Sequence, residues 1–192
     1  MKNQIETNSN DTNNELLLLL FKETVKRIYS LNFIYLQDNH LTYNVNTRAL
    51  GGSFIFPNET YTRYSPRSKC LNGPEAVILA GQMSMLSAYL NLYHHSDLCE
   101  KPFFYHKAPL EEIKKQINKT FENLITSNGD FSFHKPLYNN KNGINRCNIK
   151  MEELRPTSKG IRLKYSGSIG NNKEFKFSTT LFMINENIHN DT

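Results

Sequence analysis

The chain has 192 residues, a formal net charge of +5 and a 38% hydrophobic share that includes 12 Phe and 10 Tyr. That length supports one well-buried core and leaves too little for two generous domains. The mild positive balance favours an anionic partner. There is no helix-turn-helix, no zinc-finger spacing and no basic patch interleaved with aromatics, which argues against nucleic acid as that partner.

The first 14 residues hold five Asn and almost nothing apolar, so they cannot bury enough surface to offset ordering entropy and read as a disordered tail. Residues 15–187 read as one domain and 188–192 as a short C-terminal tail. Glu15–Ser30 is expected to be an amphipathic helix, with Leu16, Leu19, Leu20 and Ile28 on its apolar stripe. No stretch approaches the ~20 apolar residues of a transmembrane helix, so no membrane partner is expected. Cys70, Cys99 and Cys147 are odd in number and far apart, the usage of a reducing compartment, which points to the cytoplasm. In that setting the N-x-T triplets at Asn58 and Asn118 carry no glycan.

Phe33–Gln37 is expected as a strand, Asp38–Asn39–His40 as a turn, and Leu41–Val45 as a strand alternating apolar with polar. Leu50–Phe56 is a further strand, followed by a loop rich in Pro, Arg and Tyr over Pro57–Leu71. Strands are then predicted over Phe103–His106, Lys115–Ile125, Phe131–His134, Ile144–Met151, Ile161–Ser168 and Phe175–Ile184. Gly129–Asp130 and Ser166–Asn172 supply turn chemistry between them.

One segment interrupts this pattern. Gly73–Tyr93 is apolar on nearly every side, so as a helix it has to be buried nearly all round. Asn72 is placed as its N-cap, Pro74 lies in its first turn and Glu75 occupies the capping-box position. Several antiparallel strands around one long buried helix make an α+β chain of hot-dog type.

Four polar or small positions stand out in this helix region: Asn72, Glu75, Gly81 and Gln82. Glu75 and Gln82 are seven residues apart, two helical turns, and therefore share a face. Either Glu75 caps the helix while Gln82 bonds a neighbouring strand or a second subunit, or both border a thioester pocket at the helix N-terminus. There the free N–H groups and the macrodipole would polarise an acyl carbonyl. Gly81 costs ~1 kcal/mol in a helix relative to Ala, so it makes room either for a close strand or for a ligand chain. The preceding loop brings Tyr61, Arg63, Tyr64, Arg67 and Lys69 near the helix start. A tyrosine hydroxyl there could donate to a thioester carbonyl, and the basic side chains could meet phosphates. Basic residues also cluster at Lys114, Lys115 and Lys119 and at Arg146, Arg155, Arg162 and Lys164, either as a solvated face or as a docking surface for CoA phosphates or an acidic carrier.

The run Tyr64…Leu71–Asn72–Gly73–Pro74–Glu75–Ala76–Val77–Ile78–Leu79–Ala80–Gly81–Gln82–Met83 resembles the FcoT-type fatty-acyl-CoA thioesterases. Tyr29–Ser30 followed by Tyr35–Leu36, and Phe133–His134–Lys135–Pro136–Leu137, are similar to further stretches of that family. The resemblance spans about residues 20–187. It implies a hot-dog fold, a thioester of CoA or of an acyl carrier protein as substrate, no cofactor or metal, and an active site of two tyrosines and two asparagines. Carried over, these fall on Tyr29, Tyr64 and Asn72, whereas the second asparagine falls on Gly81, leaving the polarising set one amide short. Glu75 joins the catalytic group, and Gly73, Gly81 and Gln82 border the substrate.

The resemblance also implies a second chemistry, addition of glycine to the β-carbon of an enoyl thioester on a carrier protein in isonitrile lipopeptide pathways. Arg63, Arg67, Lys135 and Arg146 are the candidates to receive the glycine carboxylate. A silent protein that only binds acyl chains is the non-enzyme alternative. A hot-dog dehydratase would need a histidine before the helix, and none lies between His40 and His94. His94, His95, Asp97, Cys99 and His106 match no zinc spacing. Hot-dog domains resembling this one pair edge to edge, so a homo-oligomer of at least two copies is expected.

Overall fold

The structure is a computed structural model in which residues 14–29, 34–55, 70–71, 73–95, 108–120, 123–138 and 144–184 are described. The predicted strand Phe103–His106 and the two tails lie outside them, apart from residue 14.

The first helix, α1, covers residues 14–28 and contains one π-helical turn at Lys22–Lys26. That wider turn rotates the buried face. Leu16, Leu17, Leu20, Phe21 and Val25 enter the core, whereas Ile28, expected on the apolar stripe, is 42% exposed. The Thr24 hydroxyl donates back to the Leu20 carbonyl at 2.6 Å within this turn.

The expected strand at Phe33–Gln37 is reduced to a single bridge between Leu36 and Phe54. The reason lies in its amides. Tyr35 and Leu36 donate their backbone N–H groups to the Gln82 side-chain oxygen, at 3.2 and 3.1 Å, instead of to a strand.

A six-stranded antiparallel sheet follows, with strands β1 (Thr42–Asn44), β2 (Ala49–Phe54), β4 (Leu124–Phe133), β6 (Asn145–Thr157), β7 (Gly160–Ile169) and β8 (Phe175–Ile184). Its spatial order is β1-β2-β6-β7-β8-β4. A separate two-stranded pair, β3 (Cys70–Leu71) with β5 (Leu137–Tyr138), sits at the start of the long helix α2 (Gly73–His94). On β6, Cys147, Ile149 and Met151 alternate with exposed Arg146, Asn148 and Lys150, and on β8, Phe175, Phe177, Leu181 and Met183 form the inward row. This period-two pattern gives the sheet one apolar face, and α2 lies across it in contact with β2, β6, β7 and β8. A long buried helix on an antiparallel α+β sheet is the hot-dog arrangement expected from the sequence.

Two expectations are corrected. Residues 115–120 are not strand but the second half of a helix, α3 (Leu110–Thr120), with β4 beginning only at Leu124. Ile113 and Ile117, four apart, are its buried side chains, and Glu111 and Glu112 sit in its first turn, where they complement the helix dipole. Gly129–Asp130 is not a turn either. Both lie within β4, opposite Thr179 and Ser178, just past a bulge between Thr126 and Asn128. Glycine in a strand beside a bulge is a known alternative to a turn. The turn expected over Ser166–Asn172 is confined to its end, where Gly170 (φ 98°) and Lys173 (φ 57°) reverse the chain; Ser166–Ile169 belong to β7.

Among the described residues no helix is long and apolar enough to cross a membrane.

Candidate functional site

α2 presents two different flanks. Glu75, Leu79, Gln82, Met83, Leu86 and Leu90 are buried along one. Glu75 is 1% exposed within the first turn, and Gln82, on the same stripe as predicted, is fully enclosed. Its carboxamide oxygen holds the Tyr35 and Leu36 amides. Gln82 thus bonds the irregular segment that stands where a strand was expected, and its carboxamide oxygen faces that segment.

Val77, Gly81, Ser84 and Met85, spaced at four, seven and eight residues, line the other flank. They face Leu124, Thr126 and Phe131 of β4 and Thr179 and Leu181 of β8 across a half-open cleft of about 160 Å³. Tyr29, at the end of α1, forms part of its wall. A Cβ added at Gly81 would stand 3.1 Å from the Tyr29 hydroxyl oxygen, so glycine is what leaves that oxygen open to the cleft. Among the described residues the Tyr29 hydroxyl has no hydrogen-bond partner. Desolvation raises its pKa above the ordinary tyrosine value, which keeps it a neutral donor at physiological pH. Two of the other hydroxyls of the wall are tied up: Ser84 donates to the Ala80 carbonyl at 2.8 Å and Thr179 to the Asn128 carbonyl at 3.3 Å.

The helix start is held separately. The β3–β5 pairing sets Leu71 against Leu137, and a Cβ on Gly73 would stand 3.3 Å from the Phe133 ring. Phe133 in turn packs on Phe175, centroids 4.5 Å apart. Gly73 and Gly81 are separated by about 12 Å along the axis at 1.5 Å per residue. Within one chain, the Tyr29–Gly81 pair and the first turn of α2 are therefore two places.

The predicted site residues divide accordingly. Tyr29 and Gly81 come together, and Gly73 and Glu75 stand a turn or more away at the helix start. Gln82 turns into the core. Arg146 does not line the Tyr29 cleft but a second, mixed polar and apolar cleft of about 580 Å³ with His40, Gly51, Gly52 and Asn148. In its floor the Ser53 hydroxyl donates to Gln37 Oε1 and meets His40 Nδ1, both at 2.8 Å. Lys135 is exposed beyond the end of β4, where its amide and that of His134 donate to the Glu174 carbonyl. Tyr64, Asn72, Arg63 and Arg67 lie outside the described residues. Apart from Tyr29 and Gly81, the residues of the cleft wall, Met85, Leu124 and Thr126 among them, were not expected there. The helical spacing of Met85 from Gly81 was the available signal for that residue.

The second half of α2 carries a buried polar network. Tyr43 donates its hydroxyl to Asn91 Oδ1 at 2.9 Å, and Asn91 Nδ2 donates to the Ser87 carbonyl at 2.8 Å. The Tyr43 ring stacks on His94 with centroids 5.3 Å apart. No three His, Cys, Asp or Glu side chains among the described residues are grouped to hold a metal ion.

The sequence matches no protein-family model and no curated protein. Among solved structures the chain is similar to Cj0977, a sigma28-regulated virulence protein from Campylobacter jejuni, at 11% identity and a TM-score of 0.49, covering 91% of this chain and 94% of that one. It is also similar to a candidate thioesterase from Syntrophus aciditrophicus, at 12% identity and a TM-score of 0.47, covering 91% of this chain and 99% of that one.

Proposed function

We propose that this protein acts on fatty-acyl thioesters of CoA or of an acyl carrier protein, as an FcoT-like thioesterase. The observation that carries the reading is the Tyr29 hydroxyl, without a hydrogen-bond partner among the described residues, beside Gly81 in a largely apolar cleft. An acyl chain fits such a wall, and a neutral phenol is suited to donate to a thioester carbonyl. As water adds to the carbonyl carbon, charge develops on that oxygen, and a preorganised donor stabilises it more than it stabilises the ground state. The C–S bond then breaks, and the departing thiolate takes up a proton.

Tyr64, Asn72 and Glu75, with the N-terminal turn of α2 at Gly73, are the proposed further members of the set. The ~12 Å between Gly73 and Gly81 supports a homo-oligomer, in which the helix start of one copy meets the Tyr29–Gly81 cleft of another. The strand β4, which ends the sheet among the described residues, suits that pairing: it is ten residues long and exposes Ile125, Phe131 and Phe133.

Glycine addition to an enoyl thioester is the second reading; Gly81 leaves the polarising set without its second amide, which weakens plain hydrolysis and equally keeps open a protein that only binds acyl chains. It would use the same donor to stabilise an enolate. Arg63, Arg67, Lys135 and Arg146 are its candidates for the glycine carboxylate. Arg146, on the outer face of β6, suits that role least.

The test is incubation with acyl-CoAs and with enoyl-carrier substrates, each with and without glycine. Release of free thiol supports hydrolysis, and a glycine-mass adduct supports addition. Neither product, with acyl chains still bound, leaves a binding protein only.

A further inference from the structure

We infer that the Tyr29–Gly81 cleft is a short-chain subsite that accommodates about six carbons of an acyl group and excludes the rest of a long one. The inference rests on the thioester reading for the head of the ligand, but the size limit rests on the cleft alone.

An apolar cavity of about 150 Å³ is filled by a six-carbon ring such as benzene, and the cleft measures about 160 Å³. Its shape has a direction. Val77 and Phe131 are each 40% exposed and mark the open end. Beyond Gly81, Leu181 is 5% exposed, and Met85 and Leu124 pack against the core cluster. Leu181, with the half-buried Met85 and Leu124, forms the far end. With the carbonyl at the Tyr29 hydroxyl and the head group leaving past Val77, the tail runs toward Met85 and Leu124. From Gly81 to Met85 is about 6 Å of helix axis, so the terminal methyl meets Met85 and Leu124 after a few methylenes. The hydroxyls of Ser84 and Thr179 are already bonded to backbone carbonyls, so they do not compete for polar ligands in this stretch. Gly81 sets the width of the cleft at the carbonyl, and Met85 with Leu124 sets its depth.

Two titrations on the full-length protein separate the size claim from the thioester claim. The first measures binding of straight-chain 1-alkanols of four to twelve carbons by calorimetry. Affinity is expected to rise about four-fold per methylene up to about six carbons and then to level off. Met85→Ala is expected to move that break outward by two or more carbons, and Leu124→Ala provides the same reading should the first variant fold poorly. The second measures kcat/KM for butanoyl-, hexanoyl-, octanoyl-, dodecanoyl- and palmitoyl-CoA, where hexanoyl is expected to exceed palmitoyl at least ten-fold. An alkanol series that keeps gaining through twelve carbons, or a break that neither variant moves, overturns the subsite. Palmitoyl-CoA turned over as well as hexanoyl-CoA overturns it too, while leaving the thioester reading intact. A break near six carbons with every acyl-CoA inert supports the subsite and removes the thioester reading instead.

Discussion

The Tyr29 hydroxyl stands 3.1 Å from the point that a Cβ on Gly81 would occupy. The two residues are far apart in sequence and on different helices, and the glycine keeps the phenol accessible from the cleft. Tyr29→Phe removes only the donor, because no hydrogen bond among the described residues depends on it. The expected outcome is a melting temperature within about a degree of the parent, since surface-type changes without lost contacts stay within ~0.5 kcal/mol.

Gly81→Ala sets two effects against each other. Helix propensity favours alanine by ~1 kcal/mol, while the new methyl crowds the Tyr29 oxygen, which must give by a few tenths of an ångström. Tyr29 is only half-buried and can move, so stability is expected to rise by up to ~1 kcal/mol while thioester turnover falls. Denaturant midpoints and initial rates on the same preparation check this. Higher turnover would mean that the open phenol is not what the cleft uses.

Gln82→Leu is expected to have the opposite profile. It leaves the buried amides of Tyr35 and Leu36 without the oxygen that now accepts both. An orphaned buried donor costs ~1–3 kcal/mol, so a loss of about 2–4 kcal/mol is expected from chemical denaturation. Turnover per folded molecule should change little, because Gln82 faces the core. A stable but inactive variant would place Gln82 in the chemistry.

Alkaline pH provides a further measurement. Burial pushes the phenols of Tyr29, Tyr43, Tyr93 and Tyr165 above their ordinary value, and that of Tyr89 up to about 12. Unfolded tyrosine ionises near ~10, so the folded state holds these protons more tightly. The stability they contribute is fully present below about pH 10 and is lost as pH rises toward about 12, where Tyr89 ionises in the fold. Denaturant midpoints are expected to fall over that window, less steeply in Tyr89→Phe. A flat profile from pH 8 to 12 would contradict it.

The proposed homo-oligomer has a direct check. Sedimentation at micromolar concentration is expected to give a dimer or larger, and charges placed at Ile125 and Phe131 on β4 are expected to dissociate it. A monomer would leave the helix start and the Tyr29 cleft about 12 Å apart and would remove one of them from the site.

Much of the fold was legible because its strongest signals are local. α2 was marked by Pro74, Glu75 and an apolar run too continuous for a surface helix, and β8 by its alternation from Phe175. α3 was misread although Ile113 and Ile117 are four apart, because the Ile, Thr and Phe residues that follow also suit a strand. Gly129–Asp130 carries a strong turn signal, and only tertiary pairing with β8 makes it strand. The site was less legible. The resemblance picked out Tyr29 and Gly81 separately, but their proximity depends on how α1 packs against α2, which no periodicity encodes. The Gln82 amide could equally have faced a ligand or a strand, and only the course of residues 34–37 decides that.

The central claim is that the Tyr29 hydroxyl polarises a thioester carbonyl. Initial rates of thiol release from hexanoyl-CoA by the parent protein and by Tyr29→Phe test it most directly. The account predicts measurable turnover by the parent and a loss of about 10²–10³ in kcat for the variant, the cost of one oxyanion donor, with the melting temperature unchanged. Equal rates for the two proteins would contradict it.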